Sequence, residues 1–326
     1  MLAGEIYESK HIRLIDVPAP TRAEIGAGQI LFQPELTCLC GSDLPYFEID
    51  ASDPLYQPSL GHSLHEMIGT VVDTTGERFK PGERLLCIPD DQRGLWQRFW
   101  RSESYAHPIA PGLSDEQAVL SQPLSTVVRA LRKLDPLFGK TVAIVGQGPM
   151  GLLFSAAATA LGAQQVIGLD LVDDRLKVSP QMGATATVNP TVTDAVEAVA
   201  DLTGGDMADL VVYVVRHNGQ ALALCADLLG DSSDLLHFSL PGELMSLRTM
   251  ATIFRKNARI ITSWNPSFDL DIPQAMRWIA HGTIDVAPMI THRYPMEKIQ
   301  NAFDLFYNRK DGAIKVFVEF PAYDGD

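Results

Sequence analysis

The chain has 326 residues, enough for two domains with separate cores, and its 46% hydrophobic and 20% charged residues are the balance of a folded globular protein. A formal net charge of −14, with no Lys/Arg cluster to offset it, repels phosphate backbones and anionic lipid, so nucleic acid and membrane surfaces are not expected partners. Glu5, Glu8, Lys10, His11 and Arg13 break up the opening stretch, which therefore lacks the apolar core of a signal peptide; the cysteines at 38, 40, 87 and 225 lack disulfide-framework spacing, and the expected setting is the cytoplasm.

In chain order, residues 29–37, 67–74 and 84–88 are β-rich runs punctuated by Pro18, Gly26, Pro34, Pro58, Gly76, Pro81 and Gly82, which predicts a small irregular β domain. Ser114 and Gln117 have capping-box spacing ahead of the apolar-periodic stretch 118–134, which predicts a helix there. Between 141 and 264 the apolar runs 142–145, 165–169, 185–188, 210–215, 235–239 and 260–263 are mostly separated by helical stretches, the pattern of a doubly wound parallel sheet. The longest apolar run, 150–163, is shorter than the ~20 residues that span a bilayer and reads as a buried helix. Helices at 273–281 and 295–309 then flank strands at 290–294 and 314–320, a return to the style of the N-terminus. The fold class is α/β: a nucleotide domain at 123–265 inserted into a β-rich domain made of 1–122 and 266–326.

Residues 142–151 run Val-Ala-Ile-Val-Gly-Gln-Gly-Pro-Met-Gly, a strand passing through G-x-G-x-x-G into a helix, which is the context this motif needs. Gly146 permits the tight turn, Gly148 lets the backbone approach a pyrophosphate, and Gly151 brings helix and strand together; Pro149 and Met150 open the helix whose N–H groups face the phosphates. Asp170 ends the next strand, where its carboxylate can accept hydrogen bonds from ribose hydroxyls and repel a 2′-phosphate. That selects NAD over NADP, with Arg175 as the nearby cation that works the other way. His217 follows a strand of this domain and is a further candidate for cofactor contact.

Upstream, Cys40-Gly-Ser42-Asp43 and Gly61-His62-Ser-Leu-His65-Glu66 bring thiol, imidazole and carboxylate groups into the β domain, the donor types that suit Zn²⁺. Cys40-Gly-Ser-Asp, then His65-Glu-x-x-Gly-x-Val, then Val-Gly-Gln-Gly-Pro-Met-Gly, together with Gly312-Ala-Ile-Lys315-Val near the end, resembles the zinc-dependent medium-chain dehydrogenases of the alcohol and polyol type along essentially the whole chain. The resemblance implies a Rossmann domain inserted in a GroES-like catalytic domain, with NAD and one catalytic zinc as cofactors. It implies Cys40 and His65 as metal ligands, Glu66 as an adjacent carboxylate that can itself ligate, and Ser42 as the hydroxyl of a proton relay. It further implies Asp43 as a residue behind the metal, Thr126 as a nicotinamide contact and Lys315 as a pyrophosphate contact. The chemistry implied is zinc acting as a Lewis acid on an alcohol while hydride passes to NAD, in a homodimer or homotetramer whose partner is a small-molecule alcohol or carbonyl compound.

Three departures from that pattern stand out. Gln122 occupies the place where the family usually has Cys, Glu or Asp as third ligand, so either Cys40, His65 and Glu66 hold the metal with Gln122 on its water, or the site is weak. Residues 89–100 contain no cysteine, so no structural zinc is expected, and their Arg and Trp side chains pack at the core edge, shape the cleft or meet a partner. Pro45 stands where polyol-type members often carry His, which leaves His62 as a solvated residue, an alternative relay or an alternative ligand, and Tyr46 as a cleft residue. Cys38, Cys87 and Cys225 are assigned to packing. The leading reading is an NAD-dependent, zinc-assisted alcohol or polyol dehydrogenase; the alternatives are a metal-free quinone or enoyl reductase and a nicotinamide-binding protein without turnover.

Overall fold

The computed structural model describes residues 1–49, 57–216, 218–239 and 245–323, and His217 lies outside them. The chain divides into two compact units: residues 1–122 with 268–280 and 290–326, and residues 123–267 with 281–289.

The first unit opens with an antiparallel hairpin, β1 (Leu2–Glu8) and β2 (His11–Asp16). The charges that break up this stretch sit on its outer face: Glu5 and Arg13 are cross-strand partners joined by an ion pair of 2.7 Å, while the next pair, Ile6 and Ile12, is buried. β3 (Gln29–Cys38) follows, then the short helix α1 (Leu44–Glu48), β4 (Glu66–Thr74), β5 (Arg84–Cys87), β6 (Phe99–Ser102) and β7 (Ala106–Pro108).

Helix α2 (Asp115–Leu131) starts three residues before the apolar stretch that announces it, because its cap lies there. The Ser114 amide donates to Gln117 Oε1 at 2.9 Å and the Gln117 amide donates back to Ser114 Oγ at 3.3 Å, closing the capping box.

In the second unit β8 (Thr141–Val145), α3 (Pro149–Ala160), β9 (Gln165–Leu169), α4 (Asp173–Val178), β10 (Ala186–Val188), α5 (Ala195–Thr203), β11 (Ala208–Tyr213), α6 (Gly219–Leu228), β12 (Leu229–His237), α7 (Leu247–Arg255) and β13 (Arg259–Thr262) alternate. The strands form one parallel six-stranded sheet in the order β10-β9-β8-β11-β12-β13, which is the doubly wound arrangement with its topological switch between β8 and β11. The glycine-rich turn follows β8, so it sits at the carboxyl end of a switch-point strand. β12 begins at Leu229, earlier than its apolar run suggests, since Asp231 and Ser232 are exposed residues within the strand.

The last elements are α8 (Asp271–Ala280), β14 (Ile290–Pro295), α9 (Ile299–Asn308) and β15 (Lys315–Glu319). β15 pairs with β3, giving a seven-stranded sheet that includes the path β14-β15-β3-β4-β5-β7, with β6 also on β3. The C-terminal strand thus completes the N-terminal sheet, and Phe32, Phe47, Leu64, Met67 and Phe303 are among the residues filling its core.

Gly151 shows how tightly the second unit is built at its turn: a Cβ there would lie 1.8 Å from the Gly146 carbonyl oxygen. A Cβ on Gly26, in contrast, would meet nothing within 4 Å. Gly151→Ala is expected to cost about 1–3 kcal/mol of unfolding free energy in urea, the range for overpacking, and Gly26→Ala close to none; equal stabilities for the two variants would contradict the close helix–strand approach.

Candidate functional site

β3 and β4 run antiparallel with Cys38 directly across from Glu66. Just beyond that last pair the two strands diverge, β3 into the turn Gly41–Asp43 and β4 back through residues 61–65. The segments are tied together by one carboxylate. Asp43, fully buried, accepts from the Cys40 amide at 2.7 Å through Oδ2 and from the Leu64 amide at 3.0 Å through Oδ1. Leu64 is itself buried at φ 65°, a left-handed conformation that costs an ordinary L-residue roughly 1–2 kcal/mol. The Asp43 bond helps to hold it there, and this turn delivers His65.

The outcome is that Cys40, His65 and Glu66 present donor atoms that all lie within 4.8 Å of one another, with Glu66 buried and the other two half-buried. Four-coordinate zinc spaces its ligand atoms by roughly 3.3–3.8 Å, so a small contraction fits the ion. Sulfur, nitrogen and oxygen donors with one side open are the pattern of a catalytic zinc. Burial opposes a charged His65, but Asp43, 3.7 Å away, and Cys40 outweigh it and set the imidazole pKa well above its ordinary value. Burial likewise opposes ionisation of Asp43, and His65 with the Cys40 amide holds its carboxyl below the usual range.

Glu66 divides its oxygens between two tasks. Oε2 forms a buried ion pair with Lys315 and accepts from the Cys38 thiol at 2.8 Å, whereas Oε1 is buried without a partner. An unpartnered buried carboxylate oxygen beside a thiol and an imidazole is what a metal ligand looks like before its ion. Lys315 also donates to the Leu39 carbonyl at 3.2 Å. Its burial disfavours the ammonium, yet the Glu66 carboxylate more than compensates and raises its pKa. Burial, followed by Glu66, pushes the Cys38 thiol well up, so it is a donor here. Lys315, expected at a pyrophosphate, is instead fully buried with its charge directed at Glu66, and Cys38, expected only to pack, hydrogen-bonds the same carboxylate. Strand alternation is the sequence signal for this: Cys38 and Cys40 share a side of the chain, and Glu66 directly faces Cys38.

Around this cluster, Ser42 Oγ is buried without a partner. His62 is buried and stacks on Tyr46 with centroids 4.4 Å apart and planes at 21°. Burial lowers its pKa. Gln122 is buried on α2 and engaged in polar interactions. Residues 89–100, free of cysteine, form a 3-10 turn at Asp90–Gln92 and lead into strand β6, with Trp96 against the Gly61 turn.

In the second unit, Gly146 adopts φ 104° and Gly148 caps α3, whose first intrahelical bond runs from the Leu152 amide to the Gly148 carbonyl at 3.0 Å. The amides of Met150 and Gly151 precede that ladder, and Pro149, with no N–H, occupies the first helical position. Asp170 Oδ2 accepts from the Gln147 amide at 2.7 Å and Oδ1 from the Val172 amide at 2.9 Å. Arg175 lies 3.6 Å from Asp170 and its guanidinium is 3.4 Å from where a Gly148 Cβ would be, so cation and carboxylate both flank the glycine turn. The sequence does not advertise Gln147, yet it is fully buried, and its Oε1 accepts from Ser155 at 3.1 Å and Ser179 at 2.9 Å, anchoring the turn to the helical layer. Thr126, half-buried on α2, donates through Oγ1 to the Pro123 carbonyl at 2.7 Å.

Residues 149–281 match the family described as zinc-binding dehydrogenase. The chain is 25% identical to an erythritol/L-threitol dehydrogenase of Mycolicibacterium smegmatis, over 93% of each chain. It is 27% identical to an L-threonine 3-dehydrogenase of Bacillus subtilis, over 92% of this chain and 93% of that one. The crystal structure of galactitol-1-phosphate dehydrogenase from Escherichia coli superposes with a TM-score of 0.86 over 98% of this chain and 100% of that chain, at 19% identity.

Asp43→Asn removes one of the two amide acceptors that bring the ligand segments together. Zinc affinity, measured by competition with a chromophoric chelator, is expected to fall at least about tenfold, as for other groups that orient metal ligands; an unchanged affinity would contradict the clamp.

Proposed function

We propose, from the premise that the chain belongs to the zinc-dependent medium-chain dehydrogenase/reductase superfamily, that it is an NAD-dependent, zinc-assisted dehydrogenase interconverting a secondary alcohol or polyol with its carbonyl compound. The observation that carries the reading is the convergence of Cys40, His65 and Glu66 in a chain that also carries a dinucleotide turn at a switch point. That donor cluster favours the metal-assisted reaction over metal-free reduction of a quinone or enoyl compound.

Cys40, His65 and Glu66 would hold a zinc ion, whose Lewis acidity would favour loss of the alcohol proton. The chain's own groups do the rest. Ser42, whose buried hydroxyl has no protein partner, is the group that would hydrogen-bond the substrate hydroxyl as its proton leaves. Gln122 offers a neutral amide for hydrogen bonding where the family usually has an ionisable group, which leaves Glu66 as the third ligand. Lys315 balances the Glu66 charge through Oε2 and so keeps Oε1 for the metal. The Met150 and Gly151 amides and the α3 dipole receive the pyrophosphate, and Thr126 contacts the nicotinamide.

Asp170 supports NAD rather than NADP. A carboxylate has about four acceptor positions, and two amides occupy two of them, which leaves acceptors for ribose hydroxyls. Arg175 lies 3.6 Å from that carboxylate, so a 2′-phosphate would meet negative charge beside this cation. A homodimer or homotetramer is part of the same proposal, supported by β13, which ends the parallel sheet with Ile260 exposed. No described helix is long and apolar enough to cross a membrane, and a cytoplasmic setting fits the proposal.

Dialysis against a strong zinc chelator is expected to remove most NAD-linked oxidation of erythritol, sorbitol or 2,3-butanediol, and added Zn²⁺ to restore it; a rate insensitive to chelation would overturn the metal assignment. Asp170→Ser is expected to weaken NADH binding about tenfold, the scale of a lost hydrogen bond to a charged group, while NADPH binding strengthens. A variant that bound both cofactors as the parent does would contradict the role of Asp170.

A further inference from the structure

The end of β3 directs consecutive residues at Glu66 and Lys315. Thr37 Oγ1 donates to the Glu66 carbonyl at 2.7 Å, the Cys38 thiol donates to Glu66 Oε2 at 2.8 Å, and the Leu39 carbonyl accepts from Lys315 Nζ at 3.2 Å. β3 reaches both residues because it lies between β4, which begins with Glu66, and β15, which begins with Lys315. Cys38 is paired with Glu66 on one side and with Phe317 on the other. The Thr37 bond thus fixes the backbone of Glu66, and the Cys38 bond acts on its side chain.

That thiol decides which carboxylate oxygen is left over. A carboxylate oxygen has about two acceptor positions, and on Oε2 the Lys315 ammonium and the Cys38 thiol take both. Oε1 is buried with no partner. Without the thiol, Oε2 would regain a position, both oxygens would compete for a cation, and the carboxylate could swing about its ion pair. Cys38 is not itself placed as a ligand: among the described residues, the donor atoms within 4.8 Å of one another are those of Cys40, His65 and Glu66. Cys38 is fully buried, and a thiol suits that position because one acceptor satisfies its weak donor while its sulfur packs as a small apolar group.

We infer that Cys38 is a positioning residue for the metal centre: its thiol holds Glu66 Oε2 so that Oε1 is the oxygen presented to the ion beside Cys40 and His65. The thiols at 38 and 40 therefore have different tasks, the first hydrogen-bonding the carboxylate and the second ligating. This rests on the metal part of the reading above and deepens it. Cys38 acts through Glu66 and touches neither substrate nor cofactor.

The test compares the parent with Cys38→Val, which keeps the volume but has no donor, with Cys38→Ala, which gives up both, and with Cys38→Ser, which keeps a donor. Each protein is stripped of metal, titrated with Zn²⁺ against a chromophoric chelator, and loaded with Co²⁺ for absorption spectroscopy. Zinc affinity is expected to fall about tenfold in Cys38→Val and Cys38→Ala, as for other groups that orient metal ligands, and to stay within about threefold of the parent in Cys38→Ser. The cobalt d–d bands shift in the first two variants and hold in the third. Thiolate-to-cobalt charge transfer keeps the parent's intensity in all three, because Cys40 supplies it. If Cys38 only packs, Cys38→Val matches the parent and Cys38→Ser does not. That result, equal affinities in all the proteins, equal losses in all the variants, or charge-transfer intensity lost in Cys38→Ser would overturn the inference. A parent that binds both ions but oxidises no alcohol ends the dehydrogenase reading and leaves affinity and spectra to decide Cys38; a parent that takes up neither ion overturns both.

Discussion

The geometry of the first unit depends on the buried carboxylate of Asp43. A β-ladder fixes the positions of residues only as far as its hydrogen bonds run, and here the ladder between β3 and β4 ends at Cys38 and Glu66. Cys40 and His65 lie past that end, on segments that have no sheet to align them. Asp43 takes over, with one oxygen on the Cys40 amide and the other on the Leu64 amide, so the turn and the strand approach move as one body. Its charge is balanced in place by these two amides and by His65, which explains how it persists with no exposure to water. The left-handed Leu64 is a cost of this arrangement, and it turns the chain so that His65 and Glu66 can both face Cys40.

The two carboxylates assigned to ligand binding follow a shared logic. Glu66 has one oxygen held by Lys315 and Cys38, and Asp170 has each oxygen held by one backbone amide. In both cases the protein uses part of the acceptor capacity to fix orientation and leaves the rest. The proposed ligands differ: a cation for Glu66, ribose hydroxyls for Asp170. Lys315 and Arg175 are the cations that accompany them, one sealed in the core and one at the edge of the glycine turn.

Much of this was legible in the sequence, and the limits are physical. The parallel sheet showed because each strand is a short apolar run between helices, and β9 matches its run at 165–169. The glycine motif was legible because backbone sterics dictate it, as the Gly151 contact with Gly146 makes plain. The opening hairpin was not, since its outward face carries Glu5 and Arg13 and its inward face only a few apolar residues. Lys315 shows a deeper limit: its position in a motif suggested phosphate, but its surroundings depend on β15 entering the sheet next to β3, a pairing between the two ends of the chain. Gln147 and Leu64 were invisible for the same reason, because a buried amide and a positive φ are decided by neighbours distant in sequence.

The central claim is that Cys40, His65 and Glu66 hold a zinc ion despite the glutamine at 122. Elemental analysis of protein purified without chelator, beside Cys40→Ser prepared identically, addresses it most directly. The account predicts close to one zinc per chain in the parent and a large loss in the variant, as expected when a thiolate ligand is removed. Less than about a tenth of an equivalent in the parent, or equal zinc in both proteins, would contradict it.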